Sequence, residues 1–193
     1  MSSTILGIIA SSAGGVATSY ESIATVTVGS GGSATVSFTS IPSTYTHLQI
    51  RFIAKTTNTS SGEDNITFNF NSDTTQTNYR SHWVYGDGST AIAGQIQGSG
   101  YYLYPGSVSR NSASETSMYG AGIIDILDYA NTNKNKVSRS LMGNNTNATY
   151  GTIRLNSGLW LSTSAITGIT FRLLDANNFA QYSSFALYGI KGL

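Results

Sequence analysis

The feature that most constrains this chain is an alternation of apolar and polar residues that recurs along its length. Five segments show it: ATVSF (34–38), HLQIRFIA (47–54), ITFNF (66–70), GITFRL (168–173) and SFALYG (184–189). Successive side chains of a β-strand point to opposite faces, so each segment has one buried and one solvated face. The sequence therefore predicts an all-β fold, a two-sheet antiparallel sandwich of the jelly-roll type with about ten strands.

Three segments of the chain give predictions about local structure. Strands at Tyr20–Val28 and Ala34–Ile41 are predicted to pair as a hairpin around the glycine-rich turn at 29–32. Residues 88–117 have weak periodicity and are predicted to be a long loop with one short strand at Tyr101–Tyr104. The nearly continuous aliphatic run at 120–129 predicts a strand that is buried on both faces.

The length of 193 residues suits one domain, assigned to residues 20–193. Residues 1–19 differ from the rest because they combine a short apolar patch with small residues. They are interpreted either as a terminus without fixed structure or as an extended arm that docks on a neighbouring subunit. Four aliphatic side chains would make the contact of that arm: Ile5, Leu6, Ile8 and Ile9.

Composition excludes several classes of protein. Only 10% of the residues are charged, the net charge is +1, and the arginines are scattered, so no nucleic-acid partner is predicted. No apolar run approaches the roughly 20 residues of a membrane span, so no membrane partner is predicted. The chain has no cysteine, which excludes a disulfide scaffold, a thiolate zinc site and a cysteine nucleophile.

No catalytic constellation is evident. The two histidines, His47 and His82, lie in or beside predicted strands, and no G-x-S-x-G elbow accompanies them. Asp125 and Asp128 are three residues apart on a predicted strand and point to opposite faces, so they do not form a glycosidase-type acid and base. We predict that the protein is not an enzyme.

No metal or cofactor site is predicted either. Glu63 and Asp64 could contribute to a calcium site, but one adjacent pair is not a ligand series and favours a solvated loop. Asp73 and Asp87 fall in predicted turns, where an aspartate side chain caps its own backbone.

Aromatic side chains in and beside the irregular middle of the chain are the one functional indication. They are Tyr79, Trp83, Tyr85, Tyr101, Tyr102, Tyr104 and Tyr119. Such side chains suit a hydrophobic core, a subunit interface or a platform for a surface glycan. We assign Tyr101, Tyr102 and Tyr104 to a predicted interface, together with the arm.

Several stretches resemble a family of small virion proteins of tailed bacteriophages, especially cyanophage-like ones. The stretches are STILGIIASS near the start, residues 19–51, IIDILDYANTNKNK (123–136), LNSGLWLSTSAITGITF (155–171) and NFAQYSSFALYGIKG (178–192). The resemblance spans nearly the whole chain and carries no catalytic motif. It implies a jelly-roll β-sandwich located in the phage particle.

The resemblance leaves more than one role open. Jelly rolls in such particles serve as capsid decoration or cement proteins, as tail-fibre or spike modules, and as neck or baseplate parts. The short chain favours a stand-alone decoration protein, expected as a homotrimer that binds the major capsid protein. The alternative is a tail-fibre, spike or adaptor module that recognises a host glycan.

Overall fold

The computed structural model describes residues 19–98, 102–112, 117–146 and 151–192, and these residues form twelve strands and one short 3-10 turn at Gln76–Asn78. The strands are β1 Tyr20–Thr27, β2 Thr35–Phe38, β3 His47–Ala54, β4 Glu63–Phe70, β5 Tyr79–Gly86, β6 Ala91–Gln97, β7 Leu103–Ser109, β8 Gly120–Leu127, β9 Lys136–Asn145, β10 Gly151–Trp160, β11 Ile169–Leu173 and β12 Ser184–Ile190. The residues of the predicted arm lie outside the described part, except for Ser19.

The strands form two antiparallel sheets that pack as a sandwich. One sheet has eight strands in the order β1-β12-β3-β8-β9-β10-β5-β6, and the other has four in the order β2-β11-β4-β7. The predicted all-β, two-sheet antiparallel sandwich is confirmed, and the strand order is compatible with a jelly roll. In the described residues no helix is long and apolar enough to cross a membrane.

The predicted first hairpin is wrong. β1 pairs with β12 in the eight-stranded sheet, whereas β2 pairs with β11 in the four-stranded sheet. The glycine-rich segment at 29–32 therefore carries the chain from one layer to the other instead of turning it back. Turn residues permit a change of direction, but they do not specify which strand becomes the neighbour.

The core lies between the inner faces of the two sheets and is rich in aromatic rings. Phe52 of β3 stacks on Phe185 of β12 with ring centroids 5.2 Å apart. Across the sandwich, the ring centroid of Phe171 of β11 lies 5.1 Å from that of Phe185, and within its own sheet it lies 5.3 Å from that of Phe68 of β4. Burying one such ring stabilises a fold by about 1.5–3 kcal/mol, so this cluster accounts for much of the cohesion between the layers.

The predicted long loop at 88–117 is wrong. It contains β6, which forms a hairpin with β5, and β7, which forms the edge of the four-stranded sheet beside β4. β7 overlaps the predicted short strand only at the C-terminal end of the latter, at Leu103 and Tyr104. Pro105 and Gly106 interrupt the pattern of β7, and the pairing with β4 shifts register between Ile66 and Phe68. A proline fits an edge strand at such an irregularity because it has no N–H to donate.

The predicted burial of β8 on both faces is also wrong for the single chain. Residues on its inner face, such as Ile124 and Ile126, are fully buried, but Ile123 and Leu127 on the outer face are exposed. No second layer of the described chain covers that face. The run is aliphatic on both faces, but its outward-facing side chains pack against no other part of the described chain.

Candidate binding surfaces

The most unusual surface is a patch of large aliphatic side chains on the outer face of the eight-stranded sheet, here called the outer apolar band. Each of its side chains is between 40% and 62% exposed. Its members are Ile53, Val84, Ile123, Leu141, Ile153 and Leu155. They come from β3, β8, β9, β10 and β5, which are five consecutive strands of the sheet.

Strand register makes the band continuous. Ile123 lies opposite Leu141, Leu141 lies opposite Leu155, and Leu155 lies opposite Val84. Directly opposed residues of an antiparallel pair share a face, with Cβ atoms about 5 Å apart. The four side chains therefore form one uninterrupted row across β8, β9, β10 and β5.

A second row contains a shallow depression. Ile53 lies opposite Ala121, which lies opposite Gly143, which lies opposite Ile153. Because the two middle residues are small, a depression of about 430 Å³ lies over them, bordered by Ile153 and by Ile123 and Leu141 of the first row. A Cβ built on Gly143 meets no atom within 4 Å, so the space above this glycine is empty.

Polar side chains border the band on one side. Gln49 Nε2 donates to Asp125 Oδ1 at 2.8 Å, Arg139 Nε donates to Asp125 Oδ2 at 3.0 Å, and Arg51 Nε donates to Gln49 Oε1 at 2.8 Å. The Arg51 guanidinium also lies over the ring of Tyr188, 5.4 Å from its centroid. An apolar centre with an ordered polar rim is the usual anatomy of a protein–protein interface.

Asp128, in the turn directly after β8, has a carboxyl group with a shifted pKa. Lys134 donates to the Asp128 carboxylate, and this bond, together with the charges of Lys134 and His47, lowers the pKa of Asp128 against the opposing effect of burial. The Asp128 backbone N–H donates to His47 Nδ1 at 3.0 Å. These contacts fix the turn after β8 and leave Asp128 ionised at neutral pH.

Of the residues assigned to the predicted interface, only Tyr102 and Tyr104 are described; Ile5, Leu6, Ile8, Ile9 and Tyr101 lie outside the described residues. Tyr102 packs against Tyr79 with ring centroids 5.6 Å apart. Tyr104 is 7% exposed, and its hydroxyl donates to Asn65 Oδ1 at 2.7 Å. Both tyrosines are thus engaged inside the chain, and their role at an interface stays a prediction.

The other predicted aromatic residues separate into different environments. Tyr79 is buried in the core, where burial is the main reason that its pKa is raised. Tyr119 lies apart, where its hydroxyl donates to the Gln181 carbonyl at 2.9 Å. Trp83 and Tyr85 are half-buried on the β5–β6 hairpin, and Trp83 contacts Tyr104 edge-on at 5.6 Å.

The residues considered for catalysis and metal binding have local structural partners. His82 Nε2 bonds with Gln95 Oε1 at 2.9 Å. The predicted solvated loop at Glu63 and Asp64 is wrong, because both residues lie in β4 and Asp64 is buried beside Arg110, Thr56 and Asn177. Glu63 pairs with Arg154, with Oε1 2.6 Å from Nη2. Across the described ranges, no group of three or more histidine, aspartate or glutamate side chains is placed to hold a metal ion.

Sequence reasoning missed the outer apolar band as a site. The signal was present in the run at 123–127, where apolar residues occupy both outward and inward positions of β8. Comparison with known proteins adds no further identification, because no family model, curated protein or solved structure matches this chain.

Proposed function

We propose that this protein is a non-enzymatic structural component of a bacteriophage particle, a decoration or cement protein on the outside of the capsid. In this proposal it assembles as a homotrimer, and the outer apolar band docks on a neighbouring capsid subunit. The single observation that supports it is the band itself, an apolar surface bordered by an ordered polar rim. The resemblance of the sequence to small virion proteins supports the proposed location in the particle.

The size of the band is in the range that suits docking. Its six large aliphatic residues are each 40–62% exposed, and the largest apolar patch on a monomeric protein is typically roughly 300–600 Å² and often functional. At about 25 cal/mol per Å², covering a patch of that size contributes about 7–15 kcal/mol. Association costs roughly 4–15 kcal/mol, so the band acts as one contact among those that hold the protein between neighbouring subunits.

Substituting Gly143 tests the proposal. In Gly143→Arg, a long charged side chain occupies the depression, and the fold accommodates it because no atom lies near the new Cβ. We expect the variant to be folded but to be lost from purified virions, as measured by quantitative mass spectrometry of its copy number per particle. The physical reason is that a guanidinium placed in the band loses its water when the interface forms.

Gly29→Arg is the matched control. It adds the same charge at a glycine that also has no atom near its Cβ, in the segment after the edge strand β1, which β12 separates from β3. We expect its copy number to equal that of the wild type. Equal copy numbers for Gly143→Arg and the wild type would contradict the proposed docking surface.

Copy number also separates the two locations in the particle. Hundreds of wild-type copies per virion support a capsid decoration protein. A few dozen or fewer would overturn that location and favour the tail-fibre, spike or adaptor alternative.

A further inference from the structure

The two sheets differ in width, and this difference leaves part of an inner face uncovered. The eight-stranded sheet extends to β5 and β6 on one side, whereas the four-stranded sheet ends at β7. β7 packs over β9 and β10, where Asn156 Nδ2 donates to the Pro105 carbonyl at 2.6 Å. The inner face of the β5–β6 hairpin therefore lies beside the sandwich core and opens as a cleft.

The cleft, here called the aromatic cleft, has a volume of about 530 Å³. Its floor and walls combine apolar rings and chains with polar groups. Among the residues that line it are Trp83, Tyr85, Tyr104, Asn65, Glu63 and Arg154. A volume of this size is within the usual range of small-molecule sites, and rings with a few placed polar groups are their usual lining.

Trp83 is held by the backbone of the neighbouring strand. It lies opposite Gly94 of β6, and a Cβ built on that glycine would come within 2.5 Å of Trp83 Cζ2. The indole therefore lies directly against the glycine backbone, where any larger residue would displace it. On its other side it meets Tyr104 at 88° between the ring planes. A ring positioned in this way is preorganised for contact with a ligand.

The charged groups of the cleft are paired with each other. Arg154 Nη2 donates to Glu63 Oε1 at 2.6 Å, and the guanidinium lies 4.2 Å from the centroid of the Tyr85 ring. Glu63 Oε2 accepts from Thr152 Oγ1 at 3.1 Å. Arg154 and Glu63 therefore add no net charge to the cleft.

Hydrogen-bond donors in the cleft are left without protein partners. Within the described residues, the Trp83 indole N–H, the Tyr85 hydroxyl and the Asn65 side-chain amide nitrogen donate to no other group. They stand beside rings that offer apolar contact. A ligand that fits them has acceptor oxygens around a body with apolar C–H faces.

We propose that the aromatic cleft binds a neutral saccharide. A pyranose ring has C–H groups that pack on aromatic rings and hydroxyl oxygens that accept from the three donors. A polyanion such as a nucleic acid would meet one arginine that is already neutralised by Glu63. An aliphatic peptide would leave the three donors unpaired, which costs roughly 1–3 kcal/mol for each buried group.

Direct binding by the isolated protein tests this proposal. The wild-type protein is applied to an array of neutral and acidic bacterial surface oligosaccharides, and the neutral sugar that binds best is titrated by calorimetry. We expect saturable binding that Trp83→Ala weakens by about tenfold, the equivalent of about 1.4 kcal/mol. Gly94→Ala keeps the tryptophan but moves its ring, and we expect it to weaken binding as well.

Tyr182→Ala is the matched control because it removes a tyrosine that is 68% exposed and does not line the cleft. We expect it to bind as the wild type does. If circular dichroism shows that Trp83→Ala is unfolded, Gly94→Ala and Tyr85→Phe take its place, and we expect both to weaken binding. Tyr85→Phe removes only one hydroxyl.

Absence of saturable binding to any neutral sugar would overturn the proposal, as would binding that the cleft variants leave unchanged. Preferential binding of an acidic polysaccharide or of a single-stranded oligonucleotide would overturn it too. The measurement uses no particle, so a negative result leaves the docking of the outer apolar band untouched.

Discussion

At the scale of single residues, Asp73 links a turn to the core. Its Oδ1 accepts from the Thr75 backbone N–H at 2.8 Å, and its Oδ2 accepts from Asn78 Nδ2 and Trp160 Nε1, each at 2.8 Å. Burial acts to raise the pKa of Asp73, but these hydrogen bonds outweigh it and lower the pKa below its ordinary value. The ionised carboxylate is therefore the form that stabilises the fold.

We expect Asp73→Asn to lower the free energy of unfolding by about 1–3 kcal/mol at pH 7, because the amide cannot accept all of these bonds. A lowered pKa in the folded state means that the stabilisation is present above the unfolded pKa of about 3.9 and is lost as the pH falls through the folded value. Urea unfolding at pH 7 and pH 3 should therefore show a difference between wild type and variant that shrinks at the lower pH.

Asp87→Asn is the control for this prediction, since Asp87 accepts only from the turn residues Ser89 and Thr90 and is exposed. Asparagine is also a good turn residue, so its effect should be below about 1 kcal/mol. A difference between wild type and Asp73→Asn that is as large at pH 3 as at pH 7 would contradict the assigned role of the carboxylate.

For Asp73, the sequence predicts the local contacts but not the long-range one. Its position between strands predicts a turn with an aspartate cap, and the bond from Thr75 confirms that. The bond from Trp160 joins residues 87 positions apart in the chain. No local pattern carries that contact, because it depends on which strands become neighbours.

At the scale of elements, β8 and β7 show why some strands are visible in the sequence and others are not. β8 is a nearly continuous aliphatic run, so the sequence predicts a strand there, and only the predicted burial of its outer face is wrong. β7 is buried at all seven positions, yet it contains Pro105 and Gly106 and has no alternation. Periodicity detects a strand with one wet face, and it fails for a strand that is covered on both.

The irregularity in β7 requires a glycine at position 106. Gly106 has a φ of 141°, and a Cβ there would lie 2.5 Å from Met142 Sδ. We expect Gly106→Ala to lower the free energy of unfolding by about 1–3 kcal/mol, because both the backbone conformation and the contact with β9 become strained. Equilibrium urea denaturation measures this.

Gly143→Ala provides the comparison for Gly106→Ala, since Gly143 also lies in a strand but has open space at its Cβ. We expect no loss of stability from it, because alanine restricts the unfolded chain more than glycine does. Equal destabilisation by the two substitutions would show that the irregularity in β7 is not the constraint described here.

At the scale of the whole molecule, the layers explain both candidate surfaces. Eight strands face four, so β5 and β6 project beyond the smaller sheet and the aromatic cleft forms beneath them. The outer face of the larger sheet has no third layer, which leaves the outer apolar band exposed. Composition and alternation predict a sandwich, but they do not give the widths of its sheets, and so they could not locate either surface.

Carbene footprinting of the protein free in solution and assembled in virions tests the docking of the band most directly. We expect labelling of Leu141, Ile153 and Leu155 to fall strongly on assembly, while labelling of Tyr182 stays unchanged. Undiminished labelling of the three aliphatic residues in assembled virions would contradict the docking of the outer apolar band.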